Sequence, residues 1–364
     1  MKYFFVGLCM GLIIGLIIAA VDPETNKLTP NTKHSDKHQY RIVKPTWRLA
    51  GLIPSSSVSH KPSTKLLVEG INRLTDGTLF FRYFEPEDLV PVLKSFDAIS
   101  SGEIEAAIIN PVYFGKKSRS FELLGGFPFG PNINEYLAWY QEGGGKVLTQ
   151  KLYRRHNMHA LICGLTGPMI GGWFKQPVEK LTDLKGKQIA TAGFGKTILS
   201  RVGAETSMLA PHEVLPALIS GRIFGATIST PLGVGEPYKL LSNSHVYFPG
   251  WHQQFSITNL IIHIRDWDSL NFNTKKHIET ACSANLFESL AHSEGSQFDF
   301  LKLLINRGVK VHRWPPKLVK GLKSIWKNEL KRVNNSDDTF RVIWNSLENF
   351  RSDYSIWREL GYVK

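Results

Sequence analysis

The stretch TLFFRYFEPEDLVPVLKSFDAISSGEIEAAII, residues 78–109, decides the fold of this chain. Residues 78–84 are rich in aromatic side chains and predict a β-strand. Residues 89–99 carry apolar side chains at helical spacing, and residues 106–109 form a short apolar strand. The order strand, helix, strand predicts an α/β unit with a largely parallel sheet.

The neighbouring segments extend this pattern in both directions. Residues 47–52 predict a strand, and residues 62–74 predict a helix that ends at the turn signal Asp76-Gly77. After residue 164 the same alternation returns, which predicts a second α/β lobe. Its segments are a strand within 184–192, a helix over 194–202, a strand at 207–209, a helix from 210 to 219 and a strand at 225–229. The remaining segments are a strand at 260–264, helices over 273–306 and 315–332, and an aromatic helix over 337–359.

Length and composition are those of a globular protein of about two domains. The chain has 364 residues, of which 42% are hydrophobic and 21% are charged. Its net charge of +13 comes from 44 Lys and Arg against 31 Asp and Glu, and the basic residues are scattered. No run of five basic residues and no zinc-finger spacing occurs in the sequence, so we expect a solvated basic surface facing anionic lipid and no nucleic-acid partner.

The N-terminus predicts export from the cytoplasm. Residues 3–21 are uncharged and apolar, with Lys2 before them and Asp22 and Glu24 after them. The stretch nearly reaches the length that spans a bilayer, and its cleavage site is poor, which favours an uncleaved inner-membrane anchor over a cleaved signal peptide. Residues 22–44 are polar and predict a tether.

The three cysteines leave two arrangements open. Cys9 lies in the apolar N-terminal stretch, Cys163 in a strand-like run and Cys282 in a helical stretch. Buried thiols at Cys163 and Cys282 are favoured over a disulfide, because free cysteine packs as a small hydrophobe. No CxxC motif or Cys/His cluster is present in the sequence, so we expect no metal centre of that kind.

Catalytic motifs are missing from the sequence. It contains no HExxH, GxSxG or Walker motif, and GFGKT at residues 193–197 lacks the spacing of a phosphate loop. Asp97, Glu103 and Glu105 lie at a helix end and its turn, where a solvated face is expected. The chain is therefore expected to be no enzyme and to need no cofactor.

Several short phrases carry a family resemblance through their order and spacing. They are Asp97-Ala98, Ser101-Gly102-Glu103-Ile104-Glu105, Gly126-Phe127-Pro128-Phe129-Gly130, Trp139 with Gly143-Gly144-Gly145, Gly171-Gly172-Trp173-Phe174, Leu184-Lys185-Gly186, Pro216-Ala217-Leu218 with Ser220-Gly221-Arg222-Ile223, and Tyr247-Phe248-Pro249-Gly250-Trp251-His252. Over residues 45–364 the chain resembles the DctP-like substrate-binding subunit of tripartite ATP-independent periplasmic (TRAP) transporters, in particular its keto-acid-binding branch.

The resemblance implies an α/β, two-lobed periplasmic-binding-protein-like fold with crossing strands and a long connecting helix. The lobes would close over a ligand by a hinge motion. The expected parts are a signal or anchor segment at 1–21, a tether at 22–44, lobe I at 45–166 plus 256–294, lobe II at 167–255 plus 295–332, and a C-terminal helix at 333–364.

The resemblance also implies a function. The chain would capture a small organic molecule in the periplasm and deliver it to TRAP membrane subunits. One alternative is a membrane-anchored binding or sensing module that is no longer coupled to transport. Another is a degenerate lobe pair that acts through protein contacts alone. The aromatic C-terminal helix, with Trp344 and Trp357, packs either across a homodimer or within one chain.

The expected site departs from the family pattern. Ala190 stands where relatives carry an Arg that pairs with the ligand carboxylate, and Met169 stands where the keto-acid branch has a Gln. Thr227-Ile228 replaces a Glu-Trp pair, and Gln253 replaces an acid, so groups that hold a metal ion are missing. Because an unpaired buried charge is costly, these losses predict a neutral, more apolar pocket without a metal.

The expected lining of the pocket combines these positions with polar and aromatic neighbours. It consists of Asn110, Tyr113, Phe114, Met169, Trp173, Ala190, Thr227, Ile228, Trp251 and Gln253. Core packing is the alternative for each aromatic residue. A shift of the alignment by one or two residues would instead bring Lys187, Lys196 or Arg201 into the site.

Overall fold

The structure is a computed structural model that describes residues 45–56, 64–227 and 242–361. Lys44–Lys364 form one compact unit. Among the residues described, no helix has both the length and the apolar character needed to cross a bilayer. The predicted anchor, the tether and Ile228 lie outside the described residues.

The described residues form eleven strands and eleven α-helices. The strands are β1 Thr46–Ala50, β2 Phe80–Phe84, β3 Ala106–Ile109, β4 Met158–Thr166, β5 Gly172–Phe174, β6 Gln188–Ala190, β7 Glu205–Ser207, β8 Gly225–Ala226, β9 His245–Phe248, β10 Ser256–His263 and β11 Lys310–Arg313. The helices are α1 Thr64–Leu74, α2 Ser95–Ser101, α3 Arg119–Leu124, α4 Ile133–Glu142, α5 Gly145–Arg154, α6 Gly193–Val202, α7 Pro211–Ser220, α8 Ile264–Ser269, α9 Phe272–Asn306, α10 Pro316–Ser336 and α11 Asp338–Leu360.

Five of the strands form the first sheet, in the order β2-β1-β3-β10-β4. The β1 strand runs parallel to β2 and β3, as the alternation of strands and helices predicts. The β10 strand enters from much later in the chain and pairs antiparallel with β3 and β4. All four residues of β3 are buried, which fits a central strand covered on both faces.

The other six strands form the second sheet, in the order β11-β9-β5-β8-β6-β7. The β6 strand is parallel to β7 and β8, while β5 is antiparallel to β8 and β9. The strand predicted at 207–209 ends at Ser207 in the structure, so Leu209 belongs to the following loop.

Two chain segments that lie next to each other connect the first sheet to the second sheet. Residues 167–171 lead from β4 to β5, and residues 249–255 lead from β9 to β10. The Met169 amide donates to the Gln254 carbonyl at 3.1 Å, and the Gly250 amide donates to the Met169 carbonyl at 2.8 Å. The α9 helix follows β10 and α8 and leads to β11, which makes a third connection between the sheets.

A disulfide joins β4 to α9. Cys163 and Cys282 are bonded across a sequence separation of 119 residues, with their Cα atoms 4.1 Å apart. The favoured expectation of two free thiols is therefore wrong. Each cysteine was correctly expected to be buried, but only the packing of the helix against the strand brings the two sulfur atoms together.

Hydrogen bonds continue this contact along the helix. The Ser289 hydroxyl accepts from the Leu165 amide at 3.0 Å. The Ser293 hydroxyl accepts from the Gly167 amide at 3.0 Å and donates to the Gly167 carbonyl at 2.9 Å. The last residues of β4 are therefore fixed to α9 up to the point where the chain leaves the first sheet.

The C-terminal helix α11 packs within its own chain. Trp344 is buried, and its ring contacts those of Phe127 and Trp326, with centroids 5.3 and 6.2 Å apart. The buried Glu135 carboxylate on α4 pairs with Arg351 at 2.8 Å and with Arg358. Trp344 therefore packs within its own chain, whereas Trp357 near the end of the same helix is 57% exposed.

Candidate functional site

The carboxyl ends of several strands from both sheets surround one cavity of about 60 Å³. Asn110 directly follows β3, Thr191 directly follows β6, and Thr227 directly follows β8. Ligands of open α/β sheets bind at such strand ends, because the loops there carry side chains free of the sheet. The full lining is Asn110, Val112, Tyr113, Met169, Ala190, Thr191, Ala192, Leu209, Pro211, Val214, Thr227, His252, Gln253 and Ser256.

Asn110 builds the wall on the side of the first sheet. Its side-chain amide donates to the Ser256 hydroxyl at 2.7 Å, and its carbonyl oxygen accepts from the Val112 amide at 3.0 Å. The second bond caps the short 3₁₀ helix Pro111–Phe114, which begins with a proline whose missing N–H needs no partner. Asn110 therefore holds both β10 and the short helix in place beside the cavity.

Tyr113 lies on that 3₁₀ helix and lines the cavity. Burial raises the pKa of its phenol to about 12, so the hydroxyl keeps its proton at neutral pH. No described residue hydrogen-bonds with this hydroxyl. The group is thus able to donate a hydrogen bond to a bound molecule.

Two threonines build the opposite wall on the second sheet. The Thr227 hydroxyl donates to the Thr191 hydroxyl at 2.6 Å. The Thr227 amide donates to the Ala190 carbonyl at 3.0 Å, and the Thr191 amide donates to the Ser207 carbonyl at 2.9 Å. Ala190 is almost fully buried and brings only a methyl group to the cavity.

His252 and Gln253 line the cavity from the segment between β9 and β10. The Gln253 amide donates to the Gly125 carbonyl at 2.6 Å. The ring of His252 is buried, and neither ring nitrogen has a hydrogen-bond partner in the part of the chain that the structure describes. Desolvation lowers the pKa of His252 to about 4, so the imidazole is neutral at pH 7.

The described lining of the cavity contains no Lys, Arg, Asp or Glu. The basic residues that a shifted alignment would bring in lie elsewhere. The Lys187 ammonium is 4.9 Å from the centre of the Phe224 ring, and Arg201 pairs with Glu329 at 3.7 Å. Lys196 is also outside the lining. With the one imidazole neutral, this lining carries no formal charge at pH 7.

A partly buried ion pair lies close behind the cavity. The Arg119 guanidinium and the Glu122 carboxylate are 3.0 Å apart. Burial raises the pKa of Glu122 to about 7, although Arg119 favours the charged form. A Cβ atom at Gly193 would lie 2.5 Å from Val112, which lines the cavity, and 3.9 Å from the Cβ of Glu122. Glycine at position 193, with a φ of +58°, thus permits the close approach of α6 to this wall.

Six of the ten residues predicted to line the pocket lie together at the cavity: Asn110, Tyr113, Met169, Ala190, Thr227 and Gln253. Three of the predicted aromatic residues lie in apolar packing instead. Phe114 packs on Phe96 with ring centroids 4.9 Å apart, and Trp173 is 1% exposed in the core of the second sheet. Trp251 is also buried, with its ring 6.2 Å from that of Phe129.

Sequence reasoning missed eight lining residues: Val112, Thr191, Ala192, Leu209, Pro211, Val214, His252 and Ser256. Position along the chain could have found some of them. Thr191 and Ala192 lie at the carboxyl end of the strand predicted within 184–192, where parallel sheets bind ligands. Ser256 begins β10 and is brought to the site by a strand pairing over a long sequence distance, for which the local sequence contains no signal.

Comparison with known proteins gives consistent matches. The model of the family described as bacterial extracellular solute-binding protein, family 7 (DctP) matches residues 49–336. The monocarboxylate 2-oxoacid-binding periplasmic protein of Nostoc sp. (strain PCC 7120) is 24% identical over 348 residues, which cover 94% of this chain and 95% of the relative.

Among solved structures, a TRAP transporter solute-binding protein of Bordetella bronchiseptica superposes with a TM-score of 0.82 at 25% identity, covering 87% of this chain and 94% of the other. It is a mixed-occupancy dimer with copurified calcium and picolinate in one active site and the other site empty. A TRAP periplasmic solute-binding protein of Colwellia psychrerythraea with bound calcium and pyruvate has a TM-score of 0.81 at 22% identity, covering 87% and 97%. These likenesses agree with the fold described above.

Proposed function

The chain belongs to family 7 of the bacterial extracellular solute-binding proteins, the DctP family, and on that premise we propose that it captures a small uncharged organic molecule for a TRAP-type transporter. In this proposal the molecule binds in the cavity between the two sheets. The site differs from that of relatives that take a carboxylate together with a metal ion.

The absence of charge from the described lining of the cavity carries the proposal. Ala190, Met169, Thr227 and Gln253 bring a methyl, a thioether, a hydroxyl and an amide to the wall, and His252 is neutral. Transferring a carboxylate into such a site without a cationic partner costs several kcal/mol. An uncharged ligand has no such cost, and apolar contact with Val112, Leu209 and Val214 favours it.

The described residues do not fit the metal ion that some relatives bind. Calcium prefers several oxygen ligands that include carboxylates. The cavity offers neutral oxygen atoms, and those of Asn110, Thr191 and Ser256 already take part in hydrogen bonds. Within the described ranges, no three His, Cys, Asp or Glu side chains are placed so that they could hold a metal ion together. We therefore propose a binding site that works without a cation.

Several groups are available to orient the ligand. The Tyr113 hydroxyl donates a hydrogen bond, and the Thr191 hydroxyl, which accepts from Thr227, donates its own proton. The Gln253 carbonyl oxygen accepts, since the amide nitrogen is bound to Gly125. A compact molecule with one hydrogen-bond acceptor and one donor on an apolar frame matches this set.

The proposed division into lobes follows the two sheets. Lobe I comprises 45–166 plus 256–294, lobe II comprises 167–255 plus 295–332, and the C-terminal helix covers 333–364. Closure would bend the paired crossing segments beside Met169 and Gly250. A ligand that contacts Tyr113 on one side and Thr227 on the other binds the closed state more tightly and so favours it.

We place the protein in the periplasm, held at the inner membrane by residues 3–21. The Cys163–Cys282 disulfide supports an oxidising compartment, where such bonds persist. We propose that the receptor delivers its ligand to TRAP membrane subunits, and the alternative is a sensor that is not coupled to transport. Measuring uptake of the ligand by cells distinguishes the two. Deleting the gene abolishes uptake of the ligand in the first case and leaves it intact in the second.

Matched acid and amide ligands test the nature of the site. The unit Lys44–Lys364 is heated with pyruvate or pyruvamide, and with picolinate or picolinamide, each with and without calcium or sodium. We expect the amides to raise the midpoint of unfolding regardless of cation, because a ligand at a hundred times its Kd adds about 2.7 kcal/mol. A shift with the acids that depends on calcium or sodium would refute the neutral site.

A further inference from the structure

A row of exposed lysines covers one face of α10, and we propose that this face docks the protein on an anionic phospholipid surface. We call it the lysine face; it consists of Lys317, Lys320, Lys323, Lys327 and Lys331. None of the five lines the ligand cavity. The proposal concerns a second surface and is independent of what the cavity binds.

Helical geometry places the lysines together. They are three or four residues apart, a spacing that returns to the same side of an α-helix at each turn. The residues buried on α10 are Leu318, Leu322, Trp326, Glu329 and Val333, which occupy the opposite side. Because Trp326 and its neighbours hold that side against the protein, the lysine face points to solvent. It extends over about 20 Å of helix axis.

The charge of the lysine face is not compensated within its helix. Glu329 is the one acidic residue of α10, and its carboxylate is 3% exposed. It pairs with Arg332 at 2.6 Å and lies 3.7 to 3.8 Å from Arg201 and Arg119. No ion pair joins any lysine of the face to another described residue. Like charges one helical turn apart repel and destabilise the helix, so an anionic partner relieves a cost that the protein otherwise carries.

The chemistry of the face favours a lipid surface as that partner. Ser324 and Asn328 lie between the lysines, and no large apolar or aromatic side chain is exposed along this part of the helix. A face without aromatic side chains lacks the stacking groups of single-stranded nucleic-acid sites. It also lacks the apolar side chains of helices that insert into a bilayer. A flat array of flexible ammonium groups matches a plane of phosphate headgroups, held by charge alone.

Docking of this kind is reversible and depends on salt, because the charges remain in water. It would keep the receptor within reach of membrane subunits while the cavity binds or releases its ligand. The net charge of +13 of the chain adds to the attraction at longer range.

Sedimentation with lipid vesicles tests the proposal. The compact unit Lys44–Lys364, which lacks the apolar N-terminal stretch, is mixed with vesicles of phosphatidylcholine alone or with added phosphatidylglycerol. We expect binding only to the vesicles with phosphatidylglycerol, and loss of that binding at high salt. Binding to neutral vesicles, or no binding at low salt, would overturn the proposal.

Two matched variants separate this face from overall charge. Replacing all five lysines of the face by Gln should weaken binding on the order of a thousandfold, since each lysine near an anionic surface strengthens binding about fivefold. The control replaces the exposed Lys65, Lys94, Lys116, Lys146 and Lys151 by Gln, with the same loss of charge. The control should keep most of the binding, and an equal loss in both variants would refute a specific face.

Two further measurements complete the test. Neither variant should unfold at a lower midpoint than the original protein, since the exchanged side chains are exposed and make no ion pair with a described residue. Binding to duplex DNA is measured in parallel. Tighter binding to DNA than to the anionic vesicles, lost in the five-lysine variant, would assign the face to a nucleic acid and overturn the lipid proposal.

Discussion

Tyr113 lines the cavity with a side chain whose hydroxyl makes no hydrogen bond within the described part of the fold. Its hydroxyl has no hydrogen-bond partner among the described residues, and burial keeps it protonated. The Tyr136 hydroxyl, by contrast, donates to the Leu124 carbonyl at 3.0 Å and is away from the cavity. The two phenols therefore form a matched pair for mutation.

For Tyr113→Phe we expect unchanged stability and a five- to tenfold weaker Kd for the amide ligand, because a net hydrogen bond contributes about 1 kcal/mol. For Tyr136→Phe we expect the reverse, a loss of about 1 kcal/mol in stability with the Kd unchanged. Isothermal titration and thermal unfolding measure the two quantities. Equal affinity of Tyr113→Phe and the original protein would remove Tyr113 from the site.

His252 contributes a pH dependence whose sign follows from its lowered pKa. At pH values between the usual histidine pKa of about 6.5 and the pKa of about 4 in the folded protein, His252 is protonated in the unfolded chain and neutral in the folded protein. Stability from this group is thus fully present above that window and falls as the pH drops through it, by up to about 3 kcal/mol.

Glu122 opposes this trend, since its raised pKa of about 7 makes the folded state bind a proton more readily than the unfolded chain below that pH. The contribution of His252 is therefore measured as the difference in stability between His252→Gln and the original protein at each pH. We expect His252→Gln to be less sensitive to acid than the original protein between pH 6.5 and pH 4. Identical slopes for the two proteins in denaturant titrations would contradict a buried neutral His252.

At the scale of elements, a disulfide and several hydrogen bonds join β4 to α9. Cys282 is bonded to Cys163, and the Asn285 amide donates to the Cys163 carbonyl. The Ser293 hydroxyl, on the same face of α9, donates to the carbonyl of Gly167, which directly follows β4. This arrangement fixes the helix to the first sheet just before the chain crosses to the second. The crossing segment therefore begins from a rigid support.

Reduction of the disulfide should lower stability by about 4 kcal/mol, because the bond closes a loop of more than a hundred residues in the unfolded chain. We expect the double variant Cys163→Ala, Cys282→Ala to unfold at the midpoint of the reduced protein in the presence and absence of reductant. If reductant left the midpoint of unfolding of the original protein unchanged, that result would contradict the disulfide bond.

At the scale of the whole molecule, the cavity has walls on both sheets, joined by the paired crossing segments and by α9. Ligand binding should therefore reduce the radius of gyration of the unit Lys44–Lys364 in solution scattering, as the two walls approach. The Tyr113→Phe variant at the same ligand concentration should keep more of the open form, because its ligand binds more weakly. A radius that does not change at saturating ligand would exclude hinge closure.

The sequence by itself determined the local elements and the family. Periodic apolar residues place α1 and α9 within one or two residues of their observed bounds, because each helix buries one side of its own sequence. The order of short phrases led to the family, and through it to Ala190, Met169, Thr227 and Gln253, which lie at the cavity. Their identities predict an uncharged lining at these four positions, since charge is a property of the residue type.

The tertiary structure alone decided which side chains face the cavity and which face a core. Trp173 and Trp251 resemble binding-site aromatics in sequence, yet both are buried in apolar packing, because the face that a strand or loop presents depends on what covers it. The disulfide across 119 residues and the Asn110–Ser256 contact arise from elements far apart in the chain. So does the burial of the His252 ring, which has no hydrogen-bond partner among the described residues. Local sequence patterns describe neighbours along the chain, whereas these features depend on the packing of one sheet and one helix against another.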